Sequence, residues 1–191
     1  MTARTSTPAG LRPLELAARR LQEHPATLAG SVFLVLLTLA ARGIDANGAA
    51  WACFQLVLIA VAKIDLATRR IPNGLLAAAA VAILLLRALF VHGALLETVA
   101  AGAACYVGFL IVAVAARGAL GMGDVKLAGL LGLALGATVL PALLLGTIAG
   151  AVAALVLARR AGTTKTRLAY GPYLCLGAAV AVLLLSPPAL A

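Results

Sequence analysis

Two aspartates, Asp65 and Asp124, end apolar segments in a chain with little other acid to offer. Six Asp and Glu residues occur in 191, and from position 46 onward the acids are Asp65, Glu97 and Asp124. An ionisable side chain at membrane depth is costly and by default marks function. Each aspartate stands in a distinctive string, Lys63-Ile64-Asp65-Leu66-Ala67-Thr68-Arg69-Arg70-Ile71-Pro72-Asn73 and Gly121-Met122-Gly123-Asp124-Val125-Lys126. Paired carboxylates can hydrolyse a peptide bond. One takes a proton from water while the other, protonated, polarises the carbonyl. Two carboxylates sharing a site cannot both ionise cheaply, so such a pair titrates as a unit.

The flanking residues suit that chemistry. Gly121 and Gly123 remove side chains before the acid and permit unusual backbone angles, which would let a substrate strand approach closely. Pro72 fits the first turn of a helix, where its missing N–H costs nothing. Asn73 offers hydrogen bonds to the turn or to a bound peptide. Lys126 supplies a cation, although two positions along a helix do not share a face. A lone Asp at a helix end is ordinarily a cap or a solvated group; Gly-x-Gly is a common turn and Ile-Pro-Asn a common helix start. The scarcity of acids, their shared side of the membrane and the two strings together outweigh those readings. Glu97 and His92 lack such company and read as interfacial groups.

The elements that position these residues are membrane helices. The apolar fraction is 64% and the charged fraction 11%, against about 45–50% and roughly 25% in soluble domains. The fold class expected is all-α, a multi-pass integral membrane helix bundle of about seven transmembrane helices. The net charge of +9 reads as topology, because Lys and Arg collect in cytoplasmic loops. No basic run interleaved with aromatics points to nucleic acid. Cys53, Cys105 and Cys175 are widely separated and form no Cys-x-x-Cys. They read as packing residues, with no metal site or disulfide framework, and no cofactor is indicated.

Residues 1–25 read as a basic cytoplasmic tail, with a short surface helix expected from Leu14 to Glu23. Residues 26–48 hold an additional N-terminal span, about 26–41, and a connector; a signal peptide is the competing reading of this segment. Residues 49–191 form the main membrane domain, with spans expected near 49–62, 74–91, 95–116, 125–140, 142–158 and 172–190. Lys63, Arg69, Arg70, Arg117, Lys126, Arg159, Arg160, Lys165 and Arg167 then fall on one side. With the N-terminus inside, that side is cytoplasmic. Asp65 and Asp124 share it, and can meet if the two helices that carry them are neighbours.

The strings resemble the type IV prepilin peptidases, relatives of the Gly-x-Gly-Asp intramembrane aspartyl proteases. One match is Asp65 with Ile71, Pro72 and Asn73; another is Gly121, Gly123, Asp124 and Lys126. A third is Tyr170-Gly171-Pro172-Tyr173, similar to the aromatic-Gly-Pro-aromatic element that opens the family's last span. The resemblance spans about residues 50–185. It implies that Asp65 and Asp124 are catalytic, that Tyr170, Gly171 and Pro172 help shape the site, and that prepilin or pseudopilin leaders are cut on the cytoplasmic side of a bacterial inner membrane. Long family members carry a domain with paired Cys-x-x-Cys motifs and N-methylate the new terminus. Here residues 42–49 merely connect two spans, so the chain looks like the short, cleavage-only type. Two rival readings stand beside it: a small transporter using the acids as a proton or cation relay, and a non-catalytic pilus or secretion assembly factor.

Overall fold

The computed structural model describes residues 25–91, 95–115, 120–161, 169–185 and 187–191, and these contain helices and no strands. The tail before residue 25, with its expected surface helix, lies outside them, as do His92, Arg117, Lys165 and Arg167. Seven α-helices follow one another: α1 Pro25–Arg42, α2 Ala46–Thr68, α3 Asn73–Phe90, α4 Leu95–Ala115, α5 Met122–Leu135, α6 Val139–Ala161 and α7 Gly171–Leu184. The stretches Ala46–Thr68, Asn73–Phe90, Leu95–Ala115 and Met122–Arg160 are long and apolar enough to cross a membrane; Ala29–Arg42 and Gly171–Leu184 are shorter apolar helices. Leucine, valine and phenylalanine side chains stand exposed along α1, α3, α4 and α6. Such faces belong in lipid, and the protein is a multi-pass membrane bundle.

Local chemistry sets the boundaries. Asp45 caps α2, accepting the Gly48 N–H at 2.7 Å. Arg69 ends α2 in the left-handed region, with φ 52° and ψ 34°. Pro72, with φ −71° and ψ 118°, stands just ahead of α3, one residue earlier than the sequence suggests. Two expected boundaries are corrected. The fourth membrane stretch breaks at a 3₁₀ turn, Gly136–Thr138, where Gly136 takes φ +55°, a conformation glycine adopts freely. The last span stops at Leu184 rather than near 190, because Pro187 and Pro188 cannot donate to a continuing helix. The tail then folds back, and the Leu190 N–H donates to Asn47 Oδ1 at 2.9 Å.

Small residues allow the closest helix contacts. A β-carbon on Gly132 of α5 would lie 2.6 Å from the Ala101 carbonyl oxygen of α4, and one on Gly146 of α6 would lie 2.8 Å from the Tyr173 carbonyl oxygen of α7. Gly150 lies against Tyr170 and Gly146 against Leu174, so α6 runs antiparallel to α7. Beyond Gly150, α6 continues for eleven residues, a rise of about 16 Å past the start of α7. The 14-residue helices α5 and α7 span only about 21 Å each. Both begin recessed at the same end of the bundle, and that recess holds the two aspartates.

Helices α2 and α5 are not packed along their lengths, so the aspartates do not meet through direct helix pairing; α7 packs against both, and α3 packs against α5. Polar side chains fasten the opposite end. Arg42 donates from Nε to the Val182 carbonyl at 2.7 Å, and from Nη2 to the Val182 and Leu185 carbonyls, placing a cation at the C-terminus of α7 where the helix dipole favours it. Gln55 of α2 donates to the Ala179 carbonyl of α7 at 3.3 Å. Arg87, 1% exposed, donates to Thr98 Oγ1 of α4 and to the Ala134 carbonyl of α5 at 2.7 Å. One buried guanidinium thus joins three helices.

Candidate active site

Asp65 sits in the last turn of α2 and Asp124 in the first turn of α5. Both line one cleft of about 370 Å³, with Arg69, Arg70, Ile71, Asn73, Gly121, Met122, Gly123 and Lys126. Asp124 lies within Coulombic range of Asp65. Neither carboxylate serves as a helix N-cap: Gly121 is the cap of α5 and makes no side-chain cap bond. Asp45 shows what an ordinary capping aspartate does in this chain, and the other two do something else.

Asp65 is 6% exposed. Its carboxyl faces the Gly171 peptide N–H, yet Oδ2 is buried without a hydrogen-bond partner among the described residues. A buried unsatisfied polar atom calls for a functional or strain account. Asp124 is half-buried, its carboxylate turned back toward the Gly121 backbone.

The glycines work through space rather than backbone angle. Gly121 is extended, with φ −74° and ψ 146°, and Gly123 takes no positive φ, so the expectation of unusual angles is corrected. A β-carbon on Gly123 would lie 3.1 Å from Ile71 Cβ, and one on Gly121 would lie 3.2 Å from Asp124 Oδ2. Bare backbone at Gly123 lets the α2–α3 turn seat against the start of α5, and at Gly121 it leaves room for the Asp124 carboxylate. That seating draws the Ile71-Pro72-Asn73 string toward Asp124.

Lys126 and Asn73 meet directly, with Lys126 Nζ donating to Asn73 Oδ1 at 2.9 Å. The bond ties α5 to α3 at the rim. Pro72 does not line the cleft; its carbonyl accepts the Leu75 N–H at 3.2 Å and starts α3. Tyr170, Gly171 and Pro172 also lie behind the cleft wall rather than in it. Gly171 is buried against Asp65 and Ile71, Tyr170 packs on Gly150, and Pro172 opens α7. Burial and then the Asp124 charge push the Tyr170 phenol above its usual range, with the Thr147 hydroxyl opposing them.

Arg69 and Arg70, which the sequence marks only as topology, and Met122, which it does not single out, also line the cleft. The signal available was position: two cations stand between the acid and Ile-Pro-Asn. Arg69 adopts a left-handed conformation uncommon for a bulky residue, and its N–H donates to the Asp65 carbonyl at 2.7 Å. Thr68 Oγ1 donates to the Ile64 carbonyl at 2.8 Å, holding the same turn. Cys53 is exposed, Cys105 intermediate and Cys175 buried, all as free thiols; only Cys175 sits in the core.

Comparison with curated proteins and with solved structures finds no match. A family profile described as the type IV leader peptidase family matches residues 52–158, more than half of the chain and inclusive of both aspartates. The match ends before Tyr170, so the recessed start of α7 is a feature of the geometry and not of that comparison. On this match the chain belongs to the type IV leader peptidase family, a family of proteases.

Proposed function

We propose that the protein is a membrane aspartyl endopeptidase that removes leader peptides from type IV prepilin-like or pseudopilin substrates. The convergence of Asp65 and Asp124 on a single cleft, within Coulombic range of each other, is the observation that carries this reading. In the reaction one carboxylate accepts a proton from water, and the water oxygen adds to the scissile carbonyl. The protonated partner donates to the carbonyl oxygen. Collapse of the tetrahedral intermediate breaks the C–N bond and the proton passes to the leaving amine. No metal enters this scheme.

Cleavage takes place on the cytoplasmic side of a bacterial inner membrane, with the N-terminus inside. The support is the distribution of cations: Lys63, Arg69, Arg70, Lys126, Arg159 and Arg160 flank the aspartate end, in keeping with the positive-inside rule. Co-expression with a prepilin, followed by a gel shift of the processed form, tests the reading. A substrate left at full length would overturn it, and ion flux lost with either aspartate would put a transporter in its place.

A further inference from the structure

Three cations, Arg69, Arg70 and Lys126, line the cleft that holds Asp65 and Asp124. Lys126 is engaged, donating from Nζ to Asn73 Oδ1 at 2.9 Å. Arg69 and Arg70 are exposed, and among the described residues neither guanidinium has a hydrogen-bond or ion-pair partner. Topology alone does not bring them to the acids: Lys63, Arg159 and Arg160 flank the same end without lining the cleft. Arg69 also stands where the backbone suits a different residue. Helices that end in the left-handed region usually place Gly, or sometimes Asn, there, whereas Arg69 occupies it with φ 52° and ψ 34°. Its N–H donates to the Asp65 carbonyl at 2.7 Å, which fixes the arginine about one turn beyond the aspartate. Strain of this kind persists where the surroundings enforce it, and it gathers at ligand sites.

We propose that Arg69 and Arg70 form a carboxylate-binding site in this cleft, and that its ligand is the C-terminal carboxylate which hydrolysis creates on the released leader. The inference rests on the proteolytic reading above. Hydrolysis adds water across the C–N bond. Once the proton of the new acid has passed to the new amine, one carboxylate and one ammonium remain. That carboxylate arises beside Asp65 and Asp124, and like charges sharing a cleft of about 370 Å³ disfavour one another. Two guanidiniums in the same cleft offset the repulsion, and their planar forks match a carboxylate with paired N–H donors. The arginines thereby retain the leader product after the bond has broken.

The test uses the full chain in phosphatidylcholine nanodiscs and two synthetic forms of a prepilin leader ending at the cut site. One form carries a free C-terminal carboxylate and the other is amidated. The wild type should bind the acid about tenfold more tightly than the amide, the size of one charge-assisted hydrogen bond. Arg69→Asn keeps a residue that tolerates the left-handed conformation, so the charge goes and the turn stays. Combined with Arg70→Gln it should abolish the preference or reverse it, because both aspartates remain. Arg160→Gln, at an exposed cation outside the cleft, should keep the preference. Equal binding of acid and amide by the wild type, or a preference undiminished in the double variant, would overturn the proposal. So would a preference lost in phosphatidylglycerol nanodiscs, since lipid phosphate would then hold the arginines. If the double variant binds neither form, Arg70→Gln alone decides, and it should weaken the acid and not the amide. A wild type that leaves prepilin uncut removes the proteolytic reading, while the acid-over-amide ratio still decides whether the arginines take a carboxylate.

Discussion

A β-carbon placed on Gly171 would stand 2.7 Å from Asp65 Oδ2 and 3.1 Å from Ile71 Cδ1. The start of α7 is therefore shaped to the carboxylate, and α7, like α3, packs on both aspartate-bearing helices. Gly171→Ala should displace Asp65 or push α7 away. A misplacement near 1 Å can cost on the order of 10²-fold in rate, and a loss of that size is expected in processed prepilin per unit of inserted protein. Gly74→Ala, where an added β-carbon meets nothing within 4 Å, should cleave normally. Wild-type cleavage by Gly171→Ala would show that this contact does not position the carboxylate.

Asp65→Asn and Asp124→Asn should each reduce cleavage by about 10²–10⁴-fold, the range that positioned acid–base groups contribute. The amide keeps the shape and loses the titrating proton. Membrane levels and thermal unfolding in detergent should change little, because neither carboxylate caps its helix. Mass spectrometry of the pilin measures the outcome, and full processing by either variant would remove the paired-carboxylate assignment.

Much of the site is legible in the sequence for a physical reason. Membrane depth makes acids scarce, so Asp65 and Asp124 stand out, and Ile71, Asn73, Gly121, Gly123 and Lys126 lie within eight residues of one or the other. Hydropathy likewise exposes seven helices, since nearly every turn must be apolar. Packing order is another matter. Nothing in either string says that α7 packs on both α2 and α5, because that arrangement depends on contacts such as Gly171 with Asp65, between residues distant in the chain. Arg87 is absorbed in an apolar run where one cation barely alters the average. The sequence places a break near residue 141; its actual position at Gly136–Thr138 depends on a positive φ that composition does not reveal.

Arg87→Lys should destabilise the bundle. The guanidinium reaches Thr98 Oγ1 and the Ala134 carbonyl through separate nitrogens, a fork that a single ammonium cannot reproduce. Loss of one such bond to a charged donor costs about 1.5–3 kcal/mol. Thermal unfolding in micelles should shift downward accordingly. An unchanged midpoint would mean that the three-helix junction does not depend on the fork.

Chelators should leave cleavage intact. Among the described residues no group of three or more His, Cys, Asp or Glu side chains is placed to hold a metal ion, and the cleft donors are two carboxylates beside three cations. Three cations lining the same cleft disfavour the binding of a further metal cation there. Assays with and without EDTA, followed by zinc addition, give the answer. Activity removed by EDTA and restored by zinc would replace the carboxylate mechanism with a metal-assisted one.

A pilin processed by this chain should carry an unmethylated N-terminal amine. Methyl transfer needs a folded site for the methyl donor, with polar residues outside the bilayer. Helices α1 and α2 are joined by Gly43, Ile44 and Asp45 alone, and those residues are occupied with ending one helix and capping the next. The α2–α3 turn, Arg69 to Pro72, is one residue longer and supplies Arg69, Arg70 and Ile71 to the aspartate cleft. Cys53, Cys105 and Cys175 are separate free thiols and cannot supply the paired zinc-type ligands that the long prepilin peptidases carry. Processing in a host deleted for other prepilin peptidases, with intact-mass measurement of the mature pilin, separates the two outcomes by one methyl group. Finding that methyl would place the donor site outside the α1–α2 and α2–α3 connections.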